Sequence, residues 1–203
     1  MKTILSSLLM VITTLVIVGC AGTPQIIQTK LSESGIGIFK EQINSPVLPK
    51  GMSSLSVKVS FKTHGYSLHH YYAESCESPH GKQSFRVLLN IDGQPILWKG
   101  EGTKETTPIY GKNGKRIPDP ETGDGVRYTI KKKLMITHGK HRVFFSLPDE
   151  GYYKEFEIYV LKDNENYLEL KPVYHIQHQK PRIRRFSSEI EDFKAYFNTV
   201  LCL

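Results

Sequence analysis

The stretch HHYYAESCESPH, residues 69 to 80, brings two histidines, a cysteine and a third histidine close together. Imidazole nitrogen and thiolate sulfur both ligate zinc, and the Cys76-x-x-x-His80 spacing could place two donors on one ion. With His70 as a third donor, the candidate metal set is His70, Cys76 and His80. His69 and His70 are adjacent, so on a strand they face opposite sides and cannot chelate together. Tyr71, Tyr72, Glu74, Glu77 and Ser78 give the stretch the composition of a polar loop, and Cys76 has a competing use, described below. The expectation is a loop without metal, with the His70, Cys76, His80 set as the alternative.

The remaining chemistry-bearing residues are weaker candidates. His138 and His141 are three apart, as are His175 and His178, and both pairs lie beside strand patterns. On a strand that spacing sends the two rings to opposite faces. The acidic run DPETGDG (119 to 125) lacks the D-x-[DN]-x-[DN]-G spacing of a calcium loop and reads as turn chemistry. There is no G-x-S-x-G elbow, no H-E-x-x-H, no P-loop and no G-x-G-x-x-G following a strand. No catalytic residue and no cofactor are therefore assigned, and the chain is expected not to be an enzyme.

The address is more legible. The chain begins MKTILSSLLMVITTLVIVGCAG, a single cation followed by an uncharged run from Ile4 to Val18. A membrane span needs about 20 apolar residues, and this shorter, Ser- and Thr-containing run has the form of a secretory signal. Ile17-Val18-Gly19-Cys20 resembles the lipobox of bacterial lipoproteins, and that resemblance makes Cys20 the lipidated N-terminus of the mature chain. Ala21 stands where an inner-membrane retention signal would place Asp. The resemblance thus implies a lipid-anchored protein of the bacterial cell envelope, at the outer membrane and facing the periplasm. With Cys20 carrying lipid, Cys76 and Cys202 remain, and an oxidising compartment favours a disulfide between them. By the loop-entropy argument, closing so long a loop contributes about 4 kcal/mol.

Removing residues 1–19 takes away Lys2 from 27 Lys and Arg, which against 20 Asp and Glu leaves a net charge of +6. That mild excess suits an anionic surface but falls short of a nucleic-acid footprint, so no nucleic-acid partner is expected. Residues 20–52 carry Gly, Ser, Pro and Gln without sustained periodicity and read as the lipidated N-terminus and a tether, with IGIF able to pack on the domain.

From residue 53 to the end, one domain is expected, and its dominant period is two. SSLSVKVSFK puts Leu55, Val57, Val59 and Phe61 on one face. SFRVLLNIDG repeats the alternation and stops at an Asp-Gly turn. PILWKG, VRYTIKKKLMI, KHRVFFSL, KEFEIYVLK and NYLELKPVYH continue the series, divided by the turn formers PDEGY and KDNEN. Short antiparallel strands at this spacing predict a mainly β fold, an antiparallel β-sandwich. In RRFSSEIEDFKAYFNTVLCL the period changes. Ser188 and Glu191 form a capping box, and Ile190, Phe193, Phe197, Val200 and Leu201 recur at helical spacing, which predicts a short C-terminal helix. Phe193, Ala195 and Phe197 would also suit a closing strand.

The segments IDGQPILWKG (91 to 100), Thr107-Pro108 and LMITHGKHRVFFSLPDEGYYKEFEIYVLKDNENYLELKP (134 to 172) resemble a PEGA-type domain, a small immunoglobulin-like β-sandwich of envelope proteins. Gly139-x-His141-x-Val143 and Gly151-Tyr152 carry the match over about residues 91–172. The opening P-x-G-A element is missing, and the loop after Thr107-Pro108 is longer than in that family. The resemblance implies a binding or scaffolding role, with His141 as a packed structural residue, and transfers no active site.

The function expected is a lipid-anchored, non-enzymatic envelope protein that binds or scaffolds an envelope protein or glycan partner. The alternative is metal or haem handling by the His, Tyr and Cys cluster at 64–80. Contact residues are sought in the long loop 103–125 and the Tyr-rich segment around 66–72: Tyr66, Tyr71, Tyr72, Tyr110 and Arg116. Loops carry recognition and Tyr is favoured at contacts. The basic runs KKK (131 to 133) and KPRIRR (180 to 185) read first as solvated faces, and second as surfaces for lipid headgroups or anionic glycan.

Overall fold

Alternation dominates the architecture of the computed structural model, which describes residues 24–42, 48–64, 80–105, 110–115, 125–162, 164–174 and 190–202. The protein is mainly β. One helix, α1 (Gln25–Ser32), precedes ten strands among the described residues: β1 (Phe39–Glu41), β2 (Met52–Thr63), β3 (Ser84–Ile91), β4 (Gln94–Glu105), β5 (Gly125–Thr137), β6 (Gly139–Leu147), β7 (Tyr152–Val160), β8 (Glu165–Tyr174), β9 (Ile190–Phe197) and β10 (Val200–Leu201). A single 3-10 turn, Pro148–Glu150, links β6 to β7.

The strands follow one path, β10-β9-β8-β2-β5-β4-β3-β6-β7, with β1 added to β5. Pairing is antiparallel except between β2 and β8, which run parallel. The path curls because β4 changes partners along its length. Its first part pairs with β3 as far as Glu101, and its last part, from Gly102, pairs with β5. Glycine is required at the switch. A Cβ on Gly102 would lie 2.6 Å from Val126 Cγ1 and 3.0 Å from the Lys82 carbonyl oxygen. The sequence expectation placed a short strand at PILWKG. Here the glycines instead let a twelve-residue strand bend sharply.

Curling brings the inner faces of the two halves together. Phe61 of β2 meets Phe85 of β3 edge-on at 4.9 Å, and Phe193 of β9 meets Phe145 of β6 edge-on at 4.9 Å. Such pairs contribute about 0.5–1.5 kcal/mol each beyond their burial. The Asp-Gly turn between β3 and β4 forms as the sequence indicates, with φ of 48° at Asp92 and 84° at Gly93.

The C-terminal segment is a hairpin, not a helix. β9 pairs with the free edge of β8, and Phe193, Ala195 and Phe197 alternate inward to the core. An available sheet edge and a two-residue period outweigh the helical spacing, because strand preference is set by what a segment packs against.

Part of the stretch read as a tether is built into the fold. Leu88 and Phe144 interrupt the alternation of β3 and β6 by putting large apolar groups on the outer face. α1 lies across them, with Ile27 fully buried. Beyond the helix, Gly35 N–H donates to the Gly93 carbonyl (2.9 Å), and Gln94 Oε1 accepts from Ile38 N–H and Phe39 N–H. β1 then pairs with the end of β5. The N-terminal segment therefore runs the length of β3, from Pro24 packed against Gly151 to Gly35 at the Asp92-Gly93 turn.

His141 is 4 % exposed and links two turns. Its Nε2 lies 2.9 Å from the Thr137 carbonyl, which can only accept, and its Nδ1 lies 2.7 Å from Asp92 Oδ2. Each ring nitrogen is thereby held at one of the two turns. Asp92 Oδ1 also accepts from Arg142 N–H, so imidazole and carboxylate together fix the β3–β4 turn to β6.

Candidate functional site

Three segments singled out by the sequence are rooted at one end of the sheet. β2 ends at Thr63, beside Val126 of β5. β4 ends at Glu105, opposite Gly125. β8 runs parallel to β2 and ends at Tyr174, opposite Ile190 of β9. The strand ends flanking residues 65–79, 106–124 and 175–189 therefore sit side by side.

Buried polar contacts fix these roots. Lys62 is 1 % exposed, on the β2 face where alternation places solvated residues, and its Nζ lies 2.9 Å from Glu105 Oε2. Arg127 donates from Nε to Glu105 Oε1 (2.5 Å) and from Nη2 to Oε2 (3.2 Å). Burial alone would raise the Glu105 pKa, but hydrogen bonds from Arg127 and Lys62 outweigh it and hold the carboxyl below its usual range. The backbone N–H of Lys62 donates to the Tyr174 hydroxyl (2.7 Å), which ties β8 to β2. The Tyr128 hydroxyl donates to the Lys82 carbonyl (2.7 Å), and burial raises its pKa. Gly81 N–H donates to Thr63 Oγ1 (3.0 Å), so both margins of the 65–79 segment are joined.

The histidines at this end are ordered by their neighbours. His64 and His80 are buried and meet edge-on at 5.0 Å, and His80 Nε2 lies 2.7 Å from Glu150 Oε1. Asp149, on the same turn, accepts from Arg86 Nε (3.0 Å) and from its Nη2. The strand ends here thus carry a network of matched charges, and scaffolds commonly present recognition segments from such ends.

The residues expected to act divide as follows. Tyr110 is described and 59 % exposed, between β4 and β5. His80 is described, with its Nε2 against Glu150 Oε1 as above. Tyr66, His70, Tyr71, Tyr72, Cys76 and Arg116 lie outside the described residues, as does Cys20. Among the described residues, no group of three His, Cys, Asp or Glu side chains could hold a metal ion. Cys202 is half-buried, and its N–H donates to the Ala195 carbonyl (2.8 Å). It has no disulfide partner among the described residues, and burial raises the pKa of its thiol. Its expected partner, Cys76, falls outside the described residues.

Of the basic runs, Lys131 and Lys133 face outward on β5, where Lys133 pairs with Glu165 (3.1 Å). Lys132 faces the other way and pairs with Glu41 of β1 (2.6 Å). Lys62, Glu105 and Arg127 were not singled out by sequence reasoning. Each sits on the polar side of an alternating strand, where nothing distinguishes a buried ion pair from a solvated one.

No family of known proteins, no curated protein and no solved structure matches the chain. No helix among the described residues is long and apolar enough to cross a membrane.

Proposed function

We propose that this protein is a lipid-anchored component of the bacterial cell envelope that binds or scaffolds an envelope protein or glycan partner and catalyses no reaction. The anchor rests on the Ile17-Val18-Gly19-Cys20 pattern. The contact surface rests on one observation: the roots of 65–79, 106–124 and 175–189 are gathered at one end of the sheet over a buried ion-pair network. The first two segments hold all five residues read as contacts, Tyr66, Tyr71, Tyr72, Tyr110 and Arg116.

The finer architecture proposed is a sandwich of PEGA-like or immunoglobulin-like type. Its support is the packing of two inner faces across a shared core, the Asp92-Gly93 turn and the structural role of His141. The continuous strand path and the parallel β2–β8 pair depart from that type.

The test is photo-crosslinking in cells. A crosslinking residue at Tyr110 is expected to give a discrete adduct. The same residue at Tyr159, 63 % exposed and at the opposite end beside Lys140, is expected to give none. An adduct at Tyr159 alone would move the contact surface to the other end of the sheet.

A further inference from the structure

We infer that the end of the sheet carrying Thr63, Glu105, Gly125 and Tyr174 faces the bilayer that holds the lipid anchor, and that lipid headgroups are the surface it meets. The inference rests on the reading of Cys20 as lipidated and adds to it the direction in which the domain points.

The argument is one of reach. Pro24 packs on Gly151, immediately after the Pro148–Glu150 turn. That turn lies at the polar end, since Glu150 pairs with His80 and Asp149 with Arg86. From Pro24 the chain runs away from this end. α1 lies along β3 and β6, and Gly35 reaches the Asp92-Gly93 turn. The helix is fixed to the sheet by Ile27 and by Asn90, whose Nδ2 donates to the Lys30 carbonyl (2.7 Å) and to Glu33 Oε2 (2.8 Å).

The reach of the anchor is therefore set by the chain between Cys20 and Pro24. A fully extended chain covers at most about 3.6 Å per residue, so four steps span about 14 Å. The Asp92-Gly93 turn lies roughly 25 Å beyond the polar end, the length of an eight-residue strand such as β3. A leash of 14 Å cannot bring that far turn to the membrane while Pro24 stays docked, unless the domain lies flat. A tether running from 20 to 52 would have allowed any orientation; the docked helix removes that freedom. The strand ends that flank 65–79, 106–124 and 175–189 then face the headgroups. A protein or glycan partner bound by the same segments is one presented at the membrane surface.

The experiment uses the full lipidated chain in vesicles containing phosphatidylglycerol, with quencher lipids labelled at the headgroup. A fluorescent residue is placed at Gln83, exposed at the polar end, or at Ile36, 90 % exposed beside the far turn. Intact mass is measured on the same preparations. Acylated protein with Gln83 quenched several-fold more than Ile36 is the expected result. Acylated protein with equal quenching, or with Ile36 quenched more, overturns the orientation and leaves the anchor intact. Protein without acyl chains on Cys20 overturns the anchor and the orientation with it. Inserting a long Gly-Ser segment between Thr23 and Pro24 is expected to abolish the difference. A difference that survives the insertion overturns the leash as its cause.

Discussion

The hydroxyl of Tyr152 in β7 donates to Asp192 Oδ1 in β9 at 2.7 Å and accepts from the N–H of Phe193 at 3.0 Å. β7 ends the strand path on one side, and β9, capped only by the two residues of β10, nearly ends it on the other. The phenol thus joins two strands that share no backbone ladder. Lys154 Nζ adds a second link to Asp192 Oδ2 (2.9 Å). The sheet closes on itself here through side chains.

Replacing Tyr152 by Phe removes both hydrogen bonds of the phenol, keeps the Lys154–Asp192 link, and leaves the Phe193 N–H without its acceptor. A loss of about 1–3 kcal/mol is expected in urea unfolding. The pH dependence is a second readout. Burial opposes ionisation of Asp192, but hydrogen bonds from Lys154, Tyr152 and the Phe193 N–H hold its carboxyl below the usual range. Its contribution is present above the unfolded value of about 3.9 and is lost as pH falls through the lower folded value. Tyr152 shifts the other way: burial, then the bond to Asp192, raises the phenol well above its ordinary value. That contribution is complete below about pH 10 and is lost as pH rises beyond it. Tyr152→Phe should flatten the alkaline decline and weaken the acid one; a variant with unchanged profiles at both extremes would show the contact to be energetically silent.

Gly102 and Gly100 should respond differently to alanine. A Cβ at Gly102 meets Val126 Cγ1 at 2.6 Å, Tyr128 Cε1 at 2.9 Å and a backbone carbonyl at 3.0 Å, none of which yields easily. At Gly100 the closest atoms belong to the Ile130 side chain, at 2.9 and 3.2 Å, and its tip can rotate. Gly102→Ala should lower stability by about 1–3 kcal/mol and Gly100→Ala by clearly less. Equal urea midpoints for the two variants would count against Gly102 as the site of the bend.

Much of this architecture is legible in the sequence because alternation is a local property. Leu55, Val57, Val59 and Phe61 declare the inner face of β2 with no knowledge of its partners. The Asp92-Gly93 turn is equally local, since its backbone conformation selects those residue types. The curl is not local. It depends on Gly102 meeting Val126 and Tyr128, residues of a different strand. Ile190 to Phe197 satisfied two periods at once, and the exposed edge of β8 decided between them. Lys62 shows the same limit at the candidate site. Its neighbours Lys58 and Ser60 share its face yet are more exposed, and only the arrival of Glu105 and Tyr174 distinguishes it.

The cysteines give a test independent of packing. With Cys20 replaced and the domain secreted, the proposed Cys76–Cys202 bond predicts a native mass lighter than the reduced mass by two hydrogens, and no thiol titratable before reduction. Reduction should then lower the midpoint of thermal unfolding, because the bridge closes a long loop of the unfolded chain. A free Cys76 together with bound metal would instead favour the His70, Cys76, His80 set.

The Lys62–Glu105–Arg127 cluster predicts an asymmetry between its members. Lys62→Met keeps the buried stem and removes a cation, while Glu105 keeps both bonds from Arg127. Its cost should be small, because a buried ion pair is often no more stabilising than apolar groups of the same volume. Glu105→Gln keeps the shape but withdraws the carboxylate from an ammonium group that is 1 % exposed on its side chain. The loss of that charge partner should cost about 1–3 kcal/mol, below the range for fully buried pairs because Glu105 is itself partly exposed. The double variant, Lys62→Met with Glu105→Gln, should recover most of that loss. Full additivity in this cycle would mean that the two side chains do not interact, and that the roots of the 65–79 and 106–124 segments are held together by the β2–β5–β4 backbone pairing alone.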